Sequence, residues 1–300
     1  MTTPRWKRTV SMGLGTLASL ASLAGCPPRP AERVKIVVSV EPLFDLVRRI
    51  AGPDADVVLM VPVGVTPHGF TPPPDAIERV RGARAFVGVG LGLDPWMDAL
   101  VPQGAAKARF IKVGDRVPTV VSTVSGSAGA TPGPDPHVWL DPQRAQLIVR
   151  AVVEEIARAD GSHAMAYRRR ASELDTALQA LDKQVEARAE AWKGKPWMTF
   201  HDAFAYFAER YHLNAPDVIE LRPGEAPTPA RLASLAQAIH DRGVKAVMRE
   251  PQLDDGPAKA LAAQAHVDLV TLDPLGGGAG AETYEKMILA DVEALARAFP

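Results

Sequence analysis

At 300 residues, with 47% apolar and 23% charged side chains, the chain is long enough for one large or two medium globular domains, and its composition excludes wholesale disorder. Thirty-four basic residues against 35 acidic ones give no cationic surface for a nucleic-acid backbone, which argues against that class of partner. A single cysteine excludes intramolecular disulfides, so stability must come from an apolar core.

The first 25 residues stand apart. Arg5, Lys7 and Arg8 precede an uncharged stretch at 9–24 rich in Leu, Ala and Ser, the pattern of a secretory signal peptide. Sixteen residues are short for a membrane span, which needs about 20. The stretch ends in Leu23-Ala24-Gly25-Cys26, which resembles the lipobox of bacterial lipoproteins and makes Cys26 the expected lipidated first residue. Without the leader, 31 basic residues face 35 acidic ones, a net of −4, compatible with cationic cargo outside the cytoplasm.

A Pro-rich tether at 26–33 leads into the β-branched run 34–40, which reads as a buried strand. A helix at 43–50, a strand at 57–61, a short helix at 73–81 and a strand at 85–89 follow. That βαβα alternation implies a parallel sheet. Residues 121–136 lack periodicity and read as a loop. Asp141 is a good N-cap with Pro142 at the first helical position, opening a helix whose apolar face runs through Leu147, Ile148, Val152 and Ile156. Residues 159–162 interrupt it. From 164 to 192 the spacing of Tyr167, Ala171, Leu174, Leu178, Leu181 and Val185 predicts a second helix, long enough to join two domains or to pack as an ordinary helix.

The second half restarts the alternation, with a strand at 196–200, helices at 202–211 and 230–242, strands at 244–248 and 267–272, and an amphipathic helix at 284–298. The expected architecture is α/β. A lobe at 34–162 and another at 194–300, each with a parallel sheet flanked by helices, are joined by a connecting helix at 163–193.

Three of the seven histidines sit in loops or at element ends, in Thr66-Pro67-His68-Gly69-Phe70, Asp135-Pro136-His137-Val138-Trp139 and Phe200-His201-Asp202. His163, His212, His240 and His266 lie in helices or turns with no recurrent setting and read as solvated or capping groups. His68, His201 and Asp273 each follow a predicted strand, and ligands of doubly wound sheets bind outside the carboxyl ends of strands. Three neutral imidazoles and one carboxylate suit Zn²⁺, with a net site charge of +1, whereas calcium and magnesium favour oxygen donors. A predicted helix start at Asp202 would help keep His201 neutral through the macrodipole. Asp135 and Asp202, beside the ligand candidates, could accept a second imidazole proton or merely cap a turn or helix, and Glu250 is a third candidate for that supporting role.

These segments, with Pro67-His68 and Pro74-Asp75, Gly90-Leu91-Gly92-Leu93-Asp94-Pro95-Trp96, Asp135 through Pro142, Phe200-His201-Asp202-Ala203-Phe204, Glu225-Ala226-Pro227-Thr228-Pro229 and Leu272-Asp273-Pro274-Leu275, occur in order from Val34 to the C-terminus. Together they resemble the zinc and manganese solute-binding lipoproteins of bacterial ABC transporters. The resemblance implies two lobes with a rigid connecting helix and a metal between them held by His68, His137, His201 and Asp273. It also implies delivery to the membrane permease of an ABC importer, by an expected monomer anchored outside the cytoplasm through Cys26. His201 stands where manganese-type members tend to carry glutamate, which favours zinc as cargo. The loop before His137 lacks the histidine-rich stretch of many zinc-type members, which leaves Mn²⁺ and Fe²⁺ open.

Two rival classes compete. A zinc hydrolase could use the same ligands, yet no H-E-x-x-H helix is present, and Glu250, which otherwise lines the lobe interface, is the one attractive general base. A same-fold adhesin or binder of a large organic ligand would leave the three histidines unexplained, and 6% aromatic content offers few stacking surfaces.

Overall fold

The computed structural model describes residues 1–3, 33–121 and 133–299. The leader, Cys26, nearly all of the tether and most of the 121–136 segment lie outside the described residues. Among the described residues no helix is long and apolar enough to cross a membrane.

The N-terminal lobe is built from β1 (Val34–Val38), α1 (Glu41–Ala51), β2 (Ala55–Leu59), α2 (Ala76–Val80), β3 (Ala85–Gly88), α3 (Met97–Leu100) and β4 (Arg109–Lys112). Its four strands are parallel, in the order β2-β1-β3-β4. Ile36, Val37 and Val38 are fully buried, as a central strand covered on both faces requires. Val37 faces a cluster with Met60, Val80 and Phe86, while Ile36 and Val38 face the main core.

Helix α4 (Pro142–Ala159) starts where Asp141 accepts a hydrogen bond from the Gln143 amide, with Pro142 at its first position. Helix α5 (Ala164–Ala189) buries the stripe Tyr167, Ala171, Leu174, Leu178, Leu181 and Val185. It packs against α4 and α1 and also against α9 (Tyr284–Ala298), so it joins the two lobes rather than serving one.

The C-terminal lobe repeats the plan. Its strands are β5 (Met198–Thr199), β6 (Asp217–Val218), β7 (Ala246–Arg249) and β8 (Asp268–Thr271), parallel in the order β6-β5-β7-β8. Around them lie α6 (Ala205–Arg210), α7 (Pro229–Arg242), α8 (Gly256–Ala265) and α9. Strands β4 and β6 and helices α3 and α8 have no counterpart in the sequence pattern, because the first is an edge strand with charged ends and the second has two residues. Helix α6 begins at Ala205, three residues later than the pattern predicts.

The lobes interlock within the compact unit Arg33–Pro300. Trp139, fully buried, donates from its indole to the Pro274 carbonyl at 2.6 Å, and Tyr284 donates to the Trp139 carbonyl at 2.5 Å. Gly277 adopts a left-handed φ of +79°, and a Cβ there would lie 2.8 Å from Glu41 of the other lobe, so only glycine lets the chains approach so closely. Asp182 of α5 accepts two hydrogen bonds from Arg210 at 2.9 and 2.6 Å, and others from Tyr211 and Gln143. One buried carboxylate thus ties α5, α6 and α4. Replacing it leaves Arg210 only the exposed Glu186, at 3.5 Å, and strips the Tyr211 hydroxyl of its acceptor, so Asp182→Ala should cost roughly 2–4 kcal/mol in urea unfolding. A loss below about 1 kcal/mol would contradict that role.

Candidate metal centre

Three loops carry the histidines. His68 lies in the turn-rich segment after β2, between Pro67 and Gly69, its amide bonded to the Thr66 hydroxyl at 3.3 Å. His137 follows Pro136 and precedes a 3₁₀ turn at Val138–Leu140, whose Trp139 is the indole clamped between the lobes. His201 comes two residues after the buried end of β5, its carbonyl held by the Thr199 hydroxyl at 2.9 Å. His137 and His201 are buried and His68 is half-buried.

Their rings converge. The Nε2 atoms of His68 and His137 are 3.1 Å apart and those of His137 and His201 3.2 Å, with ring centroids 5.0 to 5.2 Å from one another. One ligand atom from each residue lies within 4.8 Å of the others. Nitrogens bound at about 2.0–2.1 Å to a tetrahedral zinc stand about 3.3 Å apart, so the donor spacing is close to what the ion requires. The cavity these residues line, with Glu250, Gln252 and Pro274, is about 10 Å³. That is room for roughly one water-sized body.

The other ring nitrogens determine how the lone pairs point. His137 Nδ1 lies 2.9 Å from Asp135 Oδ1, which also accepts the His137 amide at 2.7 Å. His201 Nδ1 lies 2.8 Å from Glu250 Oε1, which also takes the His201 amide at 3.2 Å. A carboxylate in its ionised form only accepts, so a ring paired with one donates from Nδ1, which leaves the Nε2 of a neutral ring as a bare acceptor. Two such lone pairs 3.2 Å apart repel, and either a proton on His201 Nε2 or a metal ion between the rings relieves that repulsion.

Electrostatics favour the neutral ligand form for two rings. Burial, reinforced by the neighbouring imidazoles, lowers the pKa of His68 to about 2, and burial together with His201 lowers that of His137 to about 3. His201 differs. Burial pulls it down, but Glu250, with Asp135 and Asp202, outweighs that effect and raises it. The macrodipole expected to keep His201 neutral is not in place, because α6 starts four residues later, and Glu250 sets its state instead. Burial pushes Asp135 up to about 7, and its Oδ2 is buried without a hydrogen-bond partner.

Asp273 is not part of the histidine set. Its Oδ1 accepts from Gln252 at 2.6 Å and from the Leu275 and Gly276 amides at 3.1 and 3.0 Å, and its own amide donates to Asp291 at 2.7 Å. That oxygen is engaged in shaping the turn after β8, while Pro274 and Leu275 face the cavity. Asp202 is half-buried, and the His201 Nδ1 partner is Glu250 in its place. Glu250 therefore supports a histidine rather than simply lining the interface. Asp135 and Glu250, two of the three supporting carboxylates expected from the sequence, thus lie against histidines.

Removing either carboxylate should loosen its ring. Glu250→Ala and Asp135→Ala are each expected to weaken Zn²⁺ binding about 10- to 100-fold in chelator competition. Affinities within twofold of the parent would show that these hydrogen bonds do not support the site.

The profile of the family described as zinc-uptake complex component A, periplasmic (ZnuA), matches residues 36–298. The sequence is 28% identical over 262 residues to the zinc-binding protein AdcA of Streptococcus pyogenes, covering 82% of this chain and 51% of that protein. The chain thus spans about half the length of that relative. It is 26% identical over 265 residues to the high-affinity zinc uptake system protein ZnuA of Bacillus subtilis, covering 86% and 83% of the two chains. Among solved structures, a crystal structure of ZnuA superposes with a TM-score of 0.79 at 23% identity, covering 90% of this chain and all of the other.

Proposed function

Because this chain belongs to the ZnuA family of periplasmic zinc-uptake components, we propose that it captures one Zn²⁺ per molecule on the Nε2 atoms of His68, His137 and His201 and delivers it to the permease of an ABC importer. The observation that carries this reading is the convergence of three imidazoles, two of them oriented by carboxylates, on a cavity of ionic size.

Asp273 is the fourth ligand in this reading, reaching the ion through Oδ2, since Oδ1 is held by Gln252 and two main-chain amides. Three nitrogen donors favour zinc, whereas manganese is better served by additional oxygens, so Mn²⁺ and Fe²⁺ are weaker cargo. His201 and Glu250 sit at the carboxyl ends of β5 and β7, the strands that flank the point where the order of the second sheet reverses. His68 comes from the other lobe, so separation of the lobes would break the donor set and release the ion.

The reading includes no catalysis. Glu250, the base a hydrolase would need, is bonded to two nitrogens of His201. The cavity of about 10 Å³ beside the histidines suits a single ion. Attachment of the mature protein, as a monomer, to the outer face of a membrane through lipidated Cys26 completes the proposal.

Elemental analysis of mature protein purified from zinc-replete cells should find one Zn per chain. His137→Ala should lose it, and Asp273→Asn should weaken binding by about tenfold, the usual scale for one charge-assisted contact. Titration of the stripped protein should rank Zn²⁺ above Mn²⁺. Stoichiometric zinc in His137→Ala, or preferred Mn²⁺, would overturn the assignment.

A further inference from the structure

Tyr206 is fully buried on α6, five residues beyond His201, and its hydroxyl reaches out of the C-terminal lobe into the segment that carries His137. It donates to the Asp135 carbonyl at 2.7 Å and accepts from the Val120 amide at 3.2 Å. Burial pushes the phenol up to about 12, so the proton stays on the oxygen at physiological pH.

The setting explains why the hydroxyl matters. Val121 and Pro134 form an antiparallel bridge, and beside it the Asp135 amide donates to the Val120 carbonyl at 2.8 Å. In a regular antiparallel pair, residues opposite each other exchange two such bonds. Here the second one, from the Val120 amide to the Asp135 carbonyl, is replaced by Tyr206, whose hydroxyl stands between donor and acceptor. A side chain of one lobe completes the main-chain ladder of the other. Asp135 is also the residue whose carboxylate holds the His137 ring.

We propose that Tyr206 is a positioning residue for metal binding, its hydroxyl fixing the Asp135 main chain so that His137 and His201 keep their Nε2 spacing across the two lobes. The link runs from His201 along the chain to α6, through the hydroxyl to Asp135, and through that carboxylate to His137. The Arg144 guanidinium, 4.6 Å from the Tyr206 ring and bonded to Glu209 at 3.0 Å, braces the same helix but touches neither histidine. This inference rests on the metal reading above.

Tyr206→Phe keeps the ring and removes only the hydroxyl, leaving Asp135 O and Val120 N each short of a partner. In the full mature protein, Zn²⁺ affinity should fall about tenfold by chelator competition, with faster dissociation, because two neutral hydrogen bonds are lost. The visible spectrum of the Co²⁺-substituted protein should change, since its ligand geometry is disturbed. Combined with Asp135→Ala, which removes the carboxylate through which the hydroxyl reaches the His137 ring but leaves measurable binding, Tyr206→Phe should cost little further. Glu209→Ala, which loosens the same helix at its surface, should leave affinity and spectrum unchanged. Parent-like affinity in Tyr206→Phe, an equal loss on top of Asp135→Ala, or an equal loss in Glu209→Ala would overturn the inference. Zinc retained by His137→Ala would instead remove the ligand assignment beneath it.

Discussion

Two hydrogen bonds, from His137 Nδ1 to Asp135 and from His201 Nδ1 to Glu250, decide what the centre of this molecule can do. Each directs a ring, and together they bring the two Nε2 atoms to 3.2 Å from each other. That arrangement is unfavourable without a positive charge between the rings. His68 brings a third nitrogen to the same point but has no carboxylate among its hydrogen bonds, and it is the least buried of the three. The centre is thus asymmetric, with two carboxylate-oriented imidazoles in the interior and one on an exposed-side loop.

The rest of the fold brings these loops together. Both sheets have the same order, second strand, first, third, fourth, and both present the carboxyl ends of their strands to the centre. His68 follows β2, His201 follows β5, Glu250 follows β7 and Asp273 lies beyond β8. Helix α5 spans both lobes, and its buried Asp182 binds Arg210 of α6 while meeting Gln143 of α4. Trp139, two residues beyond His137, is held by Pro274, the residue after Asp273. The ligand loops are therefore not hung on flexible tethers, because their flanking residues are fixed across the lobe boundary.

Much of this was legible in the sequence where periodicity or local chemistry is strong. The stripe from Tyr167 to Val185 is buried along its whole length, and Asp141-Pro142 caps α4 as its residue types require. Short elements were not legible. Strand β4 carries Arg109 and Lys112 at its ends, β6 has two residues, and α8 is alanine-rich with no marked apolar face. The three histidines could be singled out by their loop settings, but their partners could not all be read from neighbours in the chain. Asp135 is two residues from His137, whereas Glu250, itself a supporting candidate in the sequence, is 49 residues from His201, a pairing that no local pattern gives. Tyr206 gave no signal, since its role arises only when one lobe completes a main-chain pair in the other.

The convergence of three imidazoles on one ion is tested most directly by X-ray absorption at the zinc K edge, using zinc-loaded mature protein free of any histidine tag. The account predicts three imidazole nitrogens at about 2.0–2.1 Å, seen through their outer-shell scattering, together with oxygen and without sulfur near 2.3 Å. A first shell with one imidazole or none, or one dominated by oxygen, would contradict it.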